Sequence, residues 1–220
     1  KSVGIIEEDP AKGLTKIAKP AGVIASLIPT TNPELTPPVT GIYAAKCKDA
    51  VIFSPHPRAK MTTNEMVNVM RHACRLVGAP EDLFQCVTQP SIPGTNYLMS
   101  QCDLTMATGG KPMVQAAYSS GKPAYGVGAG NSTMVIDETA DIAEAAANSR
   151  QSKMSDFGSG CSADGNLIIV DQVYDAMKAA LIAEGGYLCS PAEKDLLKKA
   201  LWSDDGARRI ETVAVAAKVI

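Results

Sequence analysis

Leu104-Thr105-Met106-Ala107 runs into Thr108-Gly109-Gly110, and from Pro112 to Ser119 the chain suits a helix. A strand, a glycine turn and a helix in that order form the βα unit of an open parallel sheet. Pro112 fits the first helical turn, because the amide it lacks would have no partner there. Parallel strands cannot be joined by a hairpin. Each neighbouring pair needs a crossover, and helices must cover both faces of the sheet.

The rest of the chain repeats the alternation. Val23 to Ile28 is an apolar run closed by Pro29, and Ala50 to Phe53 is another closed by Ser54-Pro55, with a helix expected between them over Thr40 to Lys48. Met61 to Val77 is expected as a helix. Thr62 and Glu65 form its capping box, Met66, Met70, Ala73 and Val77 its apolar face, and Gly78 its stop. Gln85 to Thr88 reads as a strand. A second group starts near Asn131 with a strand at Met134 to Ile136 and a helix at Asp137 to Asn148. It continues with a strand at Leu167 to Val170 and a helix at Val173 to Glu184 that turns Val173, Met177, Leu181 and Ile182 inward. Ser190-Pro191-x-Glu193 opens one more helix with a capping box. The expected fold is α/β, with an open, mostly parallel sheet in the first part. The glycine-rich stretch from Gly121 to Gly130 is the candidate boundary, dividing the chain into 1–125 and 126–220.

Composition limits the function classes. The chain has 220 residues, 45% hydrophobic and 20% charged, with a formal net charge of −2. That excludes a disordered chain and leaves no electrostatic footprint for nucleic acid. No apolar run approaches the roughly 18–20 residues that span a bilayer, so no membrane partner is expected. The six cysteines include no Cys-x-x-Cys pair, so no metal site is expected and the thiols read as reduced, in a cytoplasmic protein. No signal peptide is expected. The start at Lys1 and the end inside an apolar pattern suggest a piece of something longer.

Three segments have chemistry to offer. Cys161 lies in Asp156-Phe157-Gly158-Ser159-Gly160-Cys161-Ser162-Ala163-Asp164-Gly165. Bare glycines leave a sulfur approachable and backbone N–H groups near it, as a nucleophilic thiolate needs; a small filler in a tight loop is the plainer alternative. Thr108-Gly109-Gly110 can hold a phosphate on free amides, or be an ordinary βα turn. Ser54-Pro55-His56-Pro57-Arg58-Ala59-Lys60 follows an expected strand, where open α/β sheets bind ligands, or is a solvated loop. Gly126-x-Gly128-x-Gly130 precedes a strand rather than a helix, so it lacks the geometry of a dinucleotide fingerprint. His72 reads as a surface residue.

The blocks GIIEEDPAKGLTKIAKPAGVIASLIPTTNP (4–33), VIFSPHPRAK (51–60), ATGGKPMVQAAYSSGKPAYGVGAGN (107–131) and DFGSGC (156–161) resemble the aldehyde dehydrogenase superfamily, and within it the CoA-acylating branch. The resemblance implies a Rossmann-like cofactor domain over 1–125, followed by the start of the catalytic domain over 126–220, with segments before and after them absent. It implies that Cys161 is the nucleophile, passing through a thiohemiacetal and a thioester. It also implies an oxyanion donor within Ile28 to Pro33. Asn32 is expected in that role, with Thr31 the alternative register. Thr30, Ser54, His56, Gly109, Gly110, Val127 and Gly128 match cofactor-contacting positions.

Hydrolytic relatives carry a glutamate where the resemblance places Gly126, which suits CoA as acyl acceptor instead of water. The expected reaction is a short aldehyde plus CoA and NAD or NADP giving acyl-CoA. The cysteine loop and residues 121–146 are similar to the sulfoacetaldehyde branch, and acetaldehyde is the equal alternative. The resemblance further implies a homodimer or larger homo-oligomer, in the cytoplasm or a bacterial microcompartment. A hydrolytic dehydrogenase and a non-catalytic nucleotide-binding fragment are the competing readings.

Overall fold

In the computed structural model, which describes residues 2–213 and 215–220, the chain divides into two compact units, 1–129 and 130–220. The first opens with an antiparallel ribbon of β1 (Gly4–Asp9) and β2 (Leu14–Ala18). The alternation follows: β3 (Val23–Ile28), α1 (Thr36–Cys47), β4 (Ala50–Pro55), α2 (Lys60–Leu76), β5 (Phe84–Cys86), α3 (Ile92–Gln101), β6 (Leu104–Thr108), α4 (Lys111–Tyr118) and β7 (Ala124–Val127). The five strands pair in the order β5-β4-β3-β6-β7, all parallel. The chain winds outward from β3 in one direction and then, from β6, in the other. That is the doubly wound plan, with its switch point between the carboxyl ends of β3 and β6.

Burial explains the central position of β3. Ile24 to Ile28 are all buried, as a strand covered on both faces requires. The period of two sends Ile24 and Ile28 to a core with Val51, Phe53, Val67 and Cys74, against α1 and α2. Leu27 goes to a second core with Met99, Ala107 and Ala117, against α3 and α4. Two carboxylates hold the start of β3. Asp49 accepts the Gly22 amide and Asp103 the Val23 amide, each at 2.8 Å. Gly22 has φ +120, and a Cβ there would collide with the Asp103 carboxylate.

The second unit contains β8 (Ser132–Ile136), α5 (Ile142–Met154), β9 (Asp164–Ile169), α6 (Asp171–Ala183) and α7 (Pro191–Leu201). β8 and β9 are parallel. Ile136, Ala146 and Met177 form their buried core. The expected capping box on α7 is complete: Ser190 Oγ accepts the Glu193 amide and Glu193 accepts the Ser190 amide. Among the described residues, no helix is long and apolar enough to cross a membrane.

Several expectations are corrected. α1 begins at Thr36, because Pro37 and Pro38 sit in its first turn, where their missing amides cost nothing. The Thr62–Glu65 capping box does not form. A 3-10 turn over Pro57–Ala59 feeds directly into α2, and Thr62 lies inside the helix. The buried face of α2 is Thr63, Val67 and Cys74, while Ala73 and Val77 are exposed. α5 starts at Ile142 behind Asp141, which caps it through the Glu144 amide at 3.0 Å; Asp137 instead folds onto Thr139. Ile182 is exposed. Gly126 belongs to β7.

Candidate functional site

The carboxyl ends of β3 and β4, with α3 and α4, enclose a cleft of about 380 Å³ within the first unit. Its walls are mostly apolar, including Leu27, Ile92, Met99 and Met113, and Ser54, His56 and Thr95 are among its polar groups. Ser54 is buried, and its hydroxyl meets that of Thr95 at 3.0 Å. His56 caps the turn into α2. Its Nδ1 accepts the Arg58 amide at 3.2 Å. Lys60 reaches Gln89 at 3.3 Å.

Ser54 and His56 therefore share one cleft. The other expected cofactor residues stand at neighbouring strand ends. Thr30 is exposed just after β3. Gly109 donates its amide to the Val127 carbonyl at 3.0 Å, joining the ends of β6 and β7. Gly110 caps α4 in extended conformation, with no acid in the first turn. Pro112 has no amide and Met113 donates its own to the Gly110 carbonyl at 3.0 Å, so within that turn the Lys111 amide is the one left to face an anion. Val127 is exposed, and nothing lies near the position a Cβ would take on Gly128. Asn32 is half-buried. Its carbonyl accepts the Thr36 amide at 3.2 Å and hydroxyl at 2.7 Å, which ties it to the start of α1.

Sequence reasoning missed α3, and with it Ile92, Thr95 and Met99. Pro90 and Pro93 masked the helix. Its signal was Ser91, whose hydroxyl accepts the Gly94 amide at 3.2 Å as an N-cap, followed by Pro93 inside the first turn.

In the second unit, Cys161 follows a strained turn. Asp156 (φ 48), Phe157 (φ 52) and Gly158 (φ 70) are successively left-handed, a conformation that costs a non-glycine residue about 1–2 kcal/mol. Ser159 holds the turn, its hydroxyl reaching the Asp156 carbonyl and carboxylate, both at 2.8 Å. A second turn, Ala163 N–H to Gly160 carbonyl at 3.0 Å, carries Cys161 on its outer edge. The loop then locks onto its frame: the Asp164 amide donates to Ser152 Oγ, and Ser132 Oγ to the Asp164 carboxylate, each at 3.1 Å. Gly165 leaves room for the Asn131 side-chain amide, which a Cβ there would displace.

Cys161 is exposed. Cys74 and Cys102 are buried, and Cys47, Cys86 and Cys189 are half-buried. Burial pushes the Cys86 thiol up to about 11, which keeps it protonated and unreactive. Strain concentrated beside an accessible thiol is the pattern of a functional loop.

Comparison with known proteins is consistent with this arrangement. The family model described as the aldehyde dehydrogenase family matches residues 3–194. A sulfoacetaldehyde dehydrogenase of Acholeplasma is 45% identical over 218 residues, covering 98% of this chain and 45% of that protein. The crystal structure of an acetylating aldehyde dehydrogenase from Geobacillus thermoglucosidasius superposes with a TM-score of 0.89 at 39% identity, covering 100% of this chain and 49% of that one. A propionaldehyde dehydrogenase of Rhodopseudomonas palustris, solved with bound CoA and an acylated cysteine, superposes with a TM-score of 0.81 at 34% identity over 91% of this chain and 46% of that one. The chain thus spans about half the length of these relatives.

Proposed function

The chain belongs to the aldehyde dehydrogenase family, and from that premise we propose that it is part of a CoA-acylating enzyme that oxidises a short aldehyde, sulfoacetaldehyde or acetaldehyde, to its acyl-CoA with NAD or NADP. Cys161 carries the reading, as the exposed thiol of six, on a turn between Gly160 and Ala163. Its thiolate adds to the aldehyde carbonyl and forms a thiohemiacetal. Loss of hydride from that carbon leaves a thioester on Sγ. The CoA thiolate then displaces Cys161 and regenerates it. Asn32 is the proposed oxyanion donor.

The cofactor part is proposed to be 1–125 and the catalytic part 126–220. A bound nicotinamide dinucleotide supplies the two-electron acceptor. The cleft suits its adenosine: apolar walls for a flat base, Ser54 and His56 for polar edges. Thr30, Gly109, Gly110, Val127 and Gly128, at the neighbouring strand ends, complete the proposed binding set.

Acyl transfer to CoA rather than water is supported by what is missing near β7. No Asp or Glu occurs from Gly121 to Ile136. Water, with a pKa near 15.7, needs a base. A thiol near 8.5 is already about 3% thiolate at pH 7. The similarity to sulfoacetaldehyde and acetylating dehydrogenases supports the substrate choice. A homo-oligomer in the cytoplasm completes the proposal.

The test is NADH or NADPH formation with acetaldehyde and with sulfoacetaldehyde, with and without CoA, beside Cys161→Ala. Reduction that requires CoA and vanishes in the variant supports the mechanism. Reduction indifferent to CoA points to hydrolysis, and nucleotide binding without reduction points to a different substrate or a binding role.

A further inference from the structure

The turn that carries Cys161 has an anchor on each side, and the two differ in kind. Upstream, the Ser159 hydroxyl holds Asp156, three residues away, so the loop is tied only to itself. Downstream, Asp164 ties the loop to the frame of the unit. Its amide reaches Ser152 on α5, and its carboxylate accepts from Ser132 on β8. Among the described residues, no other side-chain hydrogen bond joins 156–164 to another element.

The strand register marks the same place. Ser132 stands opposite Asp164, yet Thr133 stands opposite Asn166. Gly165 is the extra residue of a bulge, with the Asn131 side chain in the space its Cβ would fill. Bulges are rare in parallel pairs, and they end pairing or re-aim a side chain beside active sites. This one lies four residues after the thiol, and the Asp164–Ser132 bond is on its loop side. Asp164 is half-buried and forms no ion pair among the described residues, so a hydrogen bond and not charge pairing holds it. The left-handed run at Asp156 to Gly158 supplies a second reason for an anchor. Strained backbone persists only where its surroundings over-determine it, and the Ser159 bonds fix nothing outside the loop.

We propose that Asp164 is a positioning residue for the nucleophile: its bond to Ser132 sets where the turn presents Cys161. The inference rests on the reading of Cys161 as the nucleophile. A thiolate must meet a carbonyl at a fixed distance and angle, and a misplacement of about 1 Å costs about 10²-fold in rate. The exposed thiol has no burial to aim it, so the aim comes from the ends of its turn.

The experiment compares Asp164→Ala, Asp164→Asn, Ser132→Ala and the double alanine variant in the complete enzyme. It measures kcat, KM for the nucleotide, melting point and the rate at which iodoacetamide alkylates Cys161. Asp164→Ala and Ser132→Ala are each expected to lower kcat by up to about 10²-fold with KM unchanged. The double variant is expected to lose no more than either single one, because both remove the same bond. Asp164→Asn keeps an acceptor for Ser132 and drops the charge, so it is expected to recover most of the loss. Alkylation needs an exposed thiol and no alignment, and it is expected to run at the parent's rate throughout. If Asp164→Ala unfolds, Ser132→Ala decides. A kcat at the parent's value in Ser132→Ala overturns the proposal. So does an equal loss in Asp164→Asn, which would make the charge the active feature. Alkylation that slows in step with kcat also overturns it, since the thiol's reactivity and not its aim would have changed. Turnover that survives Cys161→Ala overturns the nucleophile reading itself.

Discussion

The hydroxyl of Tyr118 accepts the Gly126 amide proton at 3.0 Å, and the same ring fills the space that a side chain at 126 would need. A Cβ there would lie 2.8 Å from Tyr118 Cε2 and 2.6 Å from Val114 Cγ1. Both neighbours belong to α4, so the end of that helix seals β7 at this residue.

Gly126→Glu is therefore expected to destabilise the protein by about 1–3 kcal/mol through overpacking, read as a lowered urea midpoint. It is also expected to confer no CoA-independent turnover, because the carboxylate enters only if α4 moves. Unchanged stability together with new hydrolysis would refute the steric account.

Phe157 pairs a left-handed backbone with a side chain that is 61% exposed. Replacing it by glycine removes strain of about 1 kcal/mol and gives up little burial. Phe157→Gly should melt no lower than the parent, and Phe157→Val should melt lower, since a β-branched residue resists positive φ most. The reverse order would mean that the turn is not left-handed in solution.

Cys86 gives an alkaline prediction. Its thiol stands at 9.0 when unperturbed and at about 11 in the fold, raised by burial. Between those values the unfolded chain has released a proton that the folded chain keeps. Stability therefore falls as pH rises from 9 to 11. Cys86→Val should flatten that part of the curve and leave stability near pH 7 little changed. A slope identical to the parent's would exclude Cys86 as its source.

Asn32 holds Thr36 through its carbonyl, so removing its side chain leaves the start of α1 in place. In the complete enzyme, Asn32→Ala is expected to lower kcat by about 10²–10³ with nucleotide affinity unchanged, the range for losing one oxyanion donor. Thr31→Val is the paired control. Loss with Thr31→Val alone would move the role one residue.

The elements legible in the sequence were those with self-contained signals. The β6–α4 unit announced itself by an apolar run, a glycine turn and Pro112. α7 did so by Ser190 and Glu193, whose reciprocal bonds need nothing outside the segment. β3 and β4 were readable because a strand buried on both faces is mostly apolar, with Ser26 and Ser54 the polar exceptions. Elements fixed by tertiary contacts were not. β1 and β2 expose Ile5, Ile6, Leu14 and Ile17 among charged residues, without the alternation of a half-buried strand. β7 has a glycine in place of a packing side chain because Tyr118 occupies the space. The face of α2 was misread because Thr63 is buried as deeply as Val67, and no hydropathy pattern marks a threonine as core. Within the site, the cysteine loop stood out through its glycines. The left-handed run at Asp156 and Phe157 left no trace, since neither residue prefers that conformation strongly enough to declare it.

The central position of β3 has a consequence for how the chain is made. One edge of β3 is satisfied early, by β4, which follows after a single helix. The other waits for β6, whose approach is marked by Val23 and Asp103, 80 residues apart. On a ribosome, the most apolar strand of the first unit emerges with one side unpaired, and it stays so while three further helices are synthesised. A strand edge left open that long is a template for intermolecular pairing. Yield on expression should therefore respond to translation speed and chaperone supply more than to the stability of the finished sheet.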